Sequence, residues 1–328
     1  MKHPSIFSVL YGVIALSLVV LGPMVGPARS QSAAAQGSWS MKARLPVQRS
    51  EAAVAAVEGK IYVLGGGAQG RIDQPLNQEY DPATDRWRDR APLLRGLTHA
   101  GAAGLNGKLF VVGGFTQTGH GGAVDLLFQY DPAADSWRAL APLKGGRGSV
   151  GVTVLDGKIH AIGGRGSDRV TVATHEVYDP ATGKWTELAP LPKARDHLAV
   201  VAAAGRIHAI GGRFDTPAMN ADLHDVYDPA ANSWQPAKPL PTARSGVAAA
   251  LYQGFVVVAG GECRNRSTFV ENEAYDPKAG RWLKLAPMPA GRHGFGAAVV
   301  GGSLYFPGGA LDCGGGRVSD ELLVFTLP

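Results

Sequence analysis

Cysteine is nearly absent from this sequence: two residues in 328, Cys263 and Cys313. That excludes a cysteine-rich disulfide framework and a cysteine-based zinc module. A dominant charge is missing too. With Lys2 and Arg29 set aside, 30 basic residues face 27 acidic ones, too even a balance to argue for nucleic acid. No glycine-rich phosphate loop, zinc-ligand spacing or nucleophile elbow occurs, so no metal and no cofactor is expected. Helical periodicity persists nowhere beyond the first thirty residues.

Glycine is plentiful, and it is regularly placed. Pairs recur at Gly65-Gly66, Gly113-Gly114, Gly163-Gly164, Gly211-Gly212, Gly260-Gly261 and Gly308-Gly309. A Tyr-Asp-Pro follows the first five, at Tyr80, Tyr130, Tyr178, Tyr227 and Tyr275, and Phe325 takes the sixth place. Each Tyr is followed after 7 residues by a tryptophan, and each tryptophan, starting with Trp39, precedes the second glycine of a pair by 27 residues. Only the step from glycine pair to aromatic varies, at 14, 16, 14, 15, 14 and 16 residues. A fixed frame with one variable segment is the pattern of a scaffold that carries a working face.

Within a unit, two apolar runs flank a tight turn, as "EAAVAAV" and "KIYVLGG" flank Glu58-Gly59. Asn106-Gly107 and Asp156-Gly157 occupy the equivalent turns, where positive φ is required. The variable segment leads into a third strand such as "NQEYDP", and Asp-Pro turns the chain into a fourth. Each unit therefore reads as four short antiparallel strands, a to d. Six such sheets bury one another when they stack radially, so the expected fold class is an all-β, six-bladed propeller. The last unit lacks strand d, and "GSWSMKA", residues 37–43 with Trp39, is expected to supply it and close the ring.

A glycine pair ending strand b, then Tyr, then Trp, at about fifty residues per unit, resembles the kelch repeat, and the resemblance covers Trp39 to Pro328. It implies a single propeller over residues 38–328. Kelch propellers include enzymes, carbohydrate binders and protein-interaction platforms, so the fold alone does not assign function.

Residues 1–30 have a basic start, an apolar run from Ile6 to Val25 and small residues at Ala28 and Ser30. They read as a secretory signal, with a linker over 31–37 and a periplasmic or secreted address. An uncleaved anchor is the alternative, since the run is long enough to span a bilayer. In an oxidising compartment Cys263 and Cys313, in the b–c loops of neighbouring blades, favour a disulfide over two free thiols.

Alternating strands bring the b–c loops and the d–a connections to one end of the ring. There the variable segments 67–77, 115–126, 165–174, 213–222, 262–271 and 310–320 gather. An arginine recurs in the d–a connection at Arg49, Arg147, Arg195, Arg244 and Arg292, with Leu97 in blade 2. It reads either as a cationic funnel at the central opening or as a structural group bonded between blades; repetition favours the second. Two residues further on, the blades differ: Glu51, His99, Ser149, His197, Gly246 and Gly294. So do the residues after the glycine pairs, which include Phe115, Arg165, Arg213 and Glu262. The candidate ligand-binding set is therefore His99, Phe115, Arg165, His197, Arg213, Glu51 and Glu262, the location kelch-like binders use. Arg165 and Arg213 are read as open contacts for an anionic group. His160 and His208 sit where other blades have Tyr62, Phe110, Val257 and Tyr305, and are read as packing.

The preferred function is a binding module for a glycan or protein, with a small anionic sugar or an acidic peptide as ligand. A monomer is expected, without a nucleic-acid partner and without a membrane partner once the signal is removed. The alternative is a sugar enzyme similar to sialic acid mutarotases, which need an acid–base pair and arginine for the carboxylate. A copper radical oxidase, another kelch-like class, needs rim tyrosines. Tyr252 lies beside an a–b turn at the opposite end, and the other tyrosines beyond the signal hold frame positions, so copper is excluded.

Overall fold

The structure, a computed structural model, describes Met1 and residues 36–68, 73–118, 120–263 and 265–328. The segment read as export signal, and the linker up to residue 35, lie outside the described residues apart from Met1.

Six four-stranded antiparallel sheets form the blades of a β-propeller. In blade 1 strands a to d are Ala53–Val57, Lys60–Leu64, Asn77–Asp81 and Arg86–Asp89. Blade 6 takes its first three strands from Ala298–Val300, Ser303–Pro307 and Leu322–Thr326, and its outer strand from Ser38–Lys42. Trp39 pairs with Phe325, the register that joins Tyr80 to Trp87 in blade 1. The ring therefore closes as the spacing requires, and Phe325 occupies the tyrosine position.

The core consists of six apolar clusters, one at each junction between blades. Blades 1 and 2, for example, share Leu64, Leu109 and Val111. A single sheet could not bury these faces, which is why the ring is the folding unit. Each tryptophan indole N–H donates to a carbonyl at the end of the neighbouring blade, as Trp87 does to Ala43 (2.8 Å) and Trp39 to Ala286 (2.9 Å).

The glycine pairs serve the same junctions. The N–H of Gly66 donates to the carbonyl of Leu97 in the next blade (2.8 Å), and Gly309 closes the cycle onto Arg49 (2.9 Å). A Cβ on Gly65 would lie 2.4 Å from the Leu97 carbonyl oxygen, and the residue has φ +64°. Only glycine permits both the conformation and the approach.

The recurrent arginines do not line the opening. Arg49, Arg195, Arg244 and Arg292 are wholly enclosed. Arg49, Arg147, Arg195 and Arg244 each reach a strand-b carbonyl of their own blade, as Arg147 reaches Ala161 (3.0 Å) and Arg195 reaches Ala209 (3.0 Å), and Arg292 reaches the Gly308 carbonyl just past strand b (3.0 Å). Most also pair with an acid near strand c: Arg147 with Glu176 at 3.0 Å, Arg195 with Asp225 at 2.7 Å, Arg292 with Glu321 at 2.8 Å, and Arg244 with Glu273. The expected side-chain bond between blades is thus a bond within a blade. The link between blades runs through the backbone carbonyl at this position. Two blades depart from the pattern. Blade 2 has Leu97 and Phe128 at the two places, both in one apolar cluster. Blade 1 has Gln78 in the acid's place, and burial lowers Arg49 to about 10, with Asp89 offsetting part of the fall.

Candidate functional site

Strand a of every blade lines a central channel of about 560 Å³. At its b–c end the six positions Glu51, His99, Ser149, His197, Gly246 and Gly294 all adopt positive φ, between 51° and 63°. The N–H of each donates to the carbonyl of the one before it, from Glu51 onto Gly294 around to Gly294 onto Gly246, at 2.5 to 3.2 Å. This cycle of hydrogen bonds fixes six backbone positions, four of them bearing side chains, around one axis. Left-handed backbone is costly for a residue with a Cβ, and four such residues here are held by the closed ring.

Above the cycle lies a second cavity of about 460 Å³, bordered by Glu51, His99, His120, His197, Arg213, Glu262 and His293 among others. Of the residues singled out in the sequence, Glu51, His99, His197, Arg213 and Glu262 border this space. Phe115 and Arg165 do not. Phe115 is completely buried and stands edge-on to His99 (5.4 Å between centroids) and His120 (5.4 Å), supporting them from behind.

Neither arginine is an open contact. Arg165 Nε donates to Asp196 Oδ2 at 2.9 Å. Arg213 donates from Nε to Asp196 Oδ1 (3.1 Å), from Nη1 to Glu262 Oε2 (2.5 Å), and from Nη2 to the Nε2 atoms of His197 (3.1 Å) and His120 (3.3 Å). Both guanidinium groups are buried in ion pairs. Removing either strips the buried Asp196 carboxylate of one of its two guanidinium partners, so the change costs stability as well as any binding.

The protonation pattern follows from these contacts. His197 donates Nδ1–H to Asp196 Oδ1 (2.5 Å) and accepts at Nε2 from Arg213, so its ring is neutral. Burial takes it down to about 3, assisted by the Arg213 charge and opposed by Asp196. Burial likewise lowers His120 to about 4, with His99 and Arg213 contributing. On the other side of the axis Glu51 lies 3.2 Å from His99 Nε2 and 3.4 Å from His293 Nδ1. Burial alone would raise the Glu51 carboxyl, but His99 and His293 hold it well below the usual range. For His293 burial opposes the charge, and the bond to Glu51 outweighs it and raises the imidazole. Its Nε2–H donates to the Asp312 carbonyl at 2.9 Å.

Three contributors escaped the sequence reading. Asp196 and His293 stand one residue after the frame arginine, where other blades carry Ser50, Thr98, Gly148 and Ser245. Comparing that column would have exposed both. His120 belongs to a variable segment and has no counterpart in other blades. It sits in the turn of a hairpin, Phe115–Gln117 paired with Gly121–Ala123, that leans toward blade 4. Cys263 and Cys313 are joined in a disulfide. It ties the segments that carry Glu262 and Asp312. His160 and His208 lie inside blades 3 and 4, bonded to His175 (2.9 Å) and His224 (2.8 Å), away from the cavity.

Six radial blades, a ring closed by an N-terminal strand and a polar cavity over the axis define the class as a closed β-propeller with a polar cavity at the loop end. More particularly, the propeller carries kelch motifs: the family described as "Kelch motif" matches residues 48–94, 96–144 and 146–192. A stretch of 55 residues is 40% identical to Kelch-like protein 35 of Mus musculus, covering 17% of this chain and 10% of that protein. The chain thus matches a tenth of that relative's length. The solved structure titled "Structure of YjhT" is similar with a TM-score of 0.76 and 19% identity, over 88% of this chain and 97% of that one. At that identity the likeness is one of fold.

Proposed function

We propose that the protein is an exported binding module whose loop-end cavity takes a small hydroxyl-rich ligand of the sugar class. The observation that carries this reading is the cavity itself: about 460 Å³, lined by carboxylates (Glu51, Glu262), the Arg213 guanidinium, imidazoles and hydroxyl residues (Ser50, Thr98). Concave sites with a few fixed polar groups suit small ligands, whereas protein partners favour broader surfaces. The disulfide supports an oxidising compartment, and among the described residues no helix is long and apolar enough to cross a membrane. Because Arg165 and Arg213 are already paired, the reading does not require a charged sugar.

A second reading has one observation in its favour. Glu51 is flanked by two imidazoles, at 3.2 and 3.4 Å, so proton donor and acceptor stand on one side of the cavity. That suits acid–base exchange at a sugar ring, the chemistry of the sialic acid mutarotases which the repeat layout resembles. Ligand-observed NMR on the protein lacking residues 1–30 tests both readings. A panel of neutral hexoses, N-acetylhexosamines and sialic acid should show at least one binder, displaced by Glu262→Gln. Saturation transfer between anomers in the same spectra would convert the binder into a catalyst. No binding by any sugar at millimolar concentration, alongside binding of an acidic peptide, would overturn the sugar reading.

A further inference from the structure

His99, His120 and His197 come from blades 2 and 4 and from the blade 2 hairpin, and meet at one corner of the cavity. Their ring centroids are 4.9, 5.2 and 5.2 Å apart, with interplanar angles of 66°, 79° and 82°. One nitrogen from each lies within 4.8 Å of the others. We propose that these three imidazoles form a binding site for a late first-row divalent cation of the zinc or copper(II) type, for which Arg213 is the built-in competitor.

Three observations carry the inference. The first is spacing. A tetrahedral ion with metal–nitrogen bonds of about 2.0–2.1 Å sets imidazole centroids about 5 Å apart, and the rings already stand at that separation. Closing on an ion therefore calls for ring rotation more than backbone movement. The second is the far side of the rings. His197 gives Nδ1–H to Asp196, and His99 turns Nε2 toward Glu51 while its Nδ1 is buried without a hydrogen-bond partner. A carboxylate behind the imidazole is the arrangement that orients a metal-ligating histidine and raises its basicity. The third is that the corner already receives positive charge. Arg213 Nη2 is 3.1 Å from His197 Nε2 and 3.3 Å from His120 Nε2, so both lone pairs are directed at a cation. Asp196 and Glu262 hold that guanidinium, and they would keep it as Nη2 yields to a metal.

Imidazole nitrogens without an oxygen shell suit zinc, copper or nickel and not calcium or magnesium. The other buried histidines make a useful contrast. In His160–His175 and His208–His224 the nitrogens bond each other and backbone carbonyls, so no free lone pairs converge. Spacing in sequence could not show the triad, since its members lie 21 and 77 residues apart.

The site stands apart from the sugar reading, and its test uses no sugar. The protein lacking residues 1–30, stripped with chelator, is titrated with zinc by calorimetry and with cobalt(II) by absorbance. One equivalent should bind, cobalt should give the visible bands of a four-coordinate ion, and calcium should not compete. His120→Ala removes a hairpin ligand without touching a blade strand and should weaken zinc at least tenfold. Arg213→Met should tighten it by a similar factor, with folding checked by circular dichroism. Zinc binding that His120→Ala leaves unchanged would overturn the proposal. So would the absence of cobalt bands in both the parent and Arg213→Met.

Discussion

Polar groups are buried both inside the blades and at the mouth of the ring, where Glu51 and His99 keep some exposure, yet the two sets obey different rules. Inside, each group has a counterpart in another blade. The pair Arg147–Glu176 becomes Leu97 with Phe128 in blade 2. His175 gives Nδ1–H to the Ala189 carbonyl (3.3 Å), and Asn272 of blade 5 donates to Ala286 (3.1 Å) in the same manner. At the mouth no such exchange exists. Glu51, His99, His197 and His293 each meet groups from other blades, and their environment occurs once. Burial and shifted protonation therefore do not set the mouth apart from the blades. Convergence of unlike blades does.

That contrast can be broken most severely at the ring closure, the feature on which both regions depend. Deleting residues 37–42 removes the outer strand of blade 6 and the Trp39 indole bond. The expected loss is on the order of 5 kcal/mol, comparable to a domain's whole margin, and leaves an open strand edge. A parent-like melting temperature would contradict the closure.

The next effect tests exchangeability. Arg147→Leu strands Glu176 in the interior and should cost about 3–5 kcal/mol by denaturant titration. Adding Glu176→Phe copies blade 2 and should recover most of that loss, since replacing both members of a buried pair with apolar groups is often neutral. Failure of the second change to rescue the first would show that the blades are less interchangeable than their frame suggests.

Acid stability sharpens the comparison further. Burial lowers His160, His208 and His224 to about 4 and His175 to about 3. The unfolded chain takes up these protons near pH 6.5, while the folded chain resists them. The stabilisation is therefore complete above about pH 6.5 and is lost as pH falls through the folded values. The melting temperature should drop between pH 6.5 and pH 4. The blade 5 pattern grafted into blade 3, His160→Val with His175→Asn, should flatten part of that slope. An unchanged slope would place the acid sensitivity elsewhere.

The smallest stability effect belongs to the mouth. His120→Ala removes a hairpin side chain, and a change away from the packed core is expected to cost within about 0.5–1 kcal/mol. Its consequence should appear in ligand or metal binding instead. A large fall in melting temperature would mean that the hairpin is part of the ring's framework.

Sequence alone determined the blade number, the strand order and the closing strand, because a covalent period records a packing period. Glycines at the junctions, turn dipeptides and the Tyr–Trp pair are each required by local geometry wherever a blade occurs, so repetition exposes them. It also brought Glu51, His99, His197, Arg213 and Glu262 to one end of the ring, since strand alternation decides which loops share a face. Only the tertiary structure decided what those residues do. It paired Arg213 with Asp196 and Glu262, sank Phe115 behind the histidines, and brought in His120, Asp196 and His293. Those outcomes depend on distances between side chains of different blades, and no spacing along one chain encodes the separation of two blades across an axis.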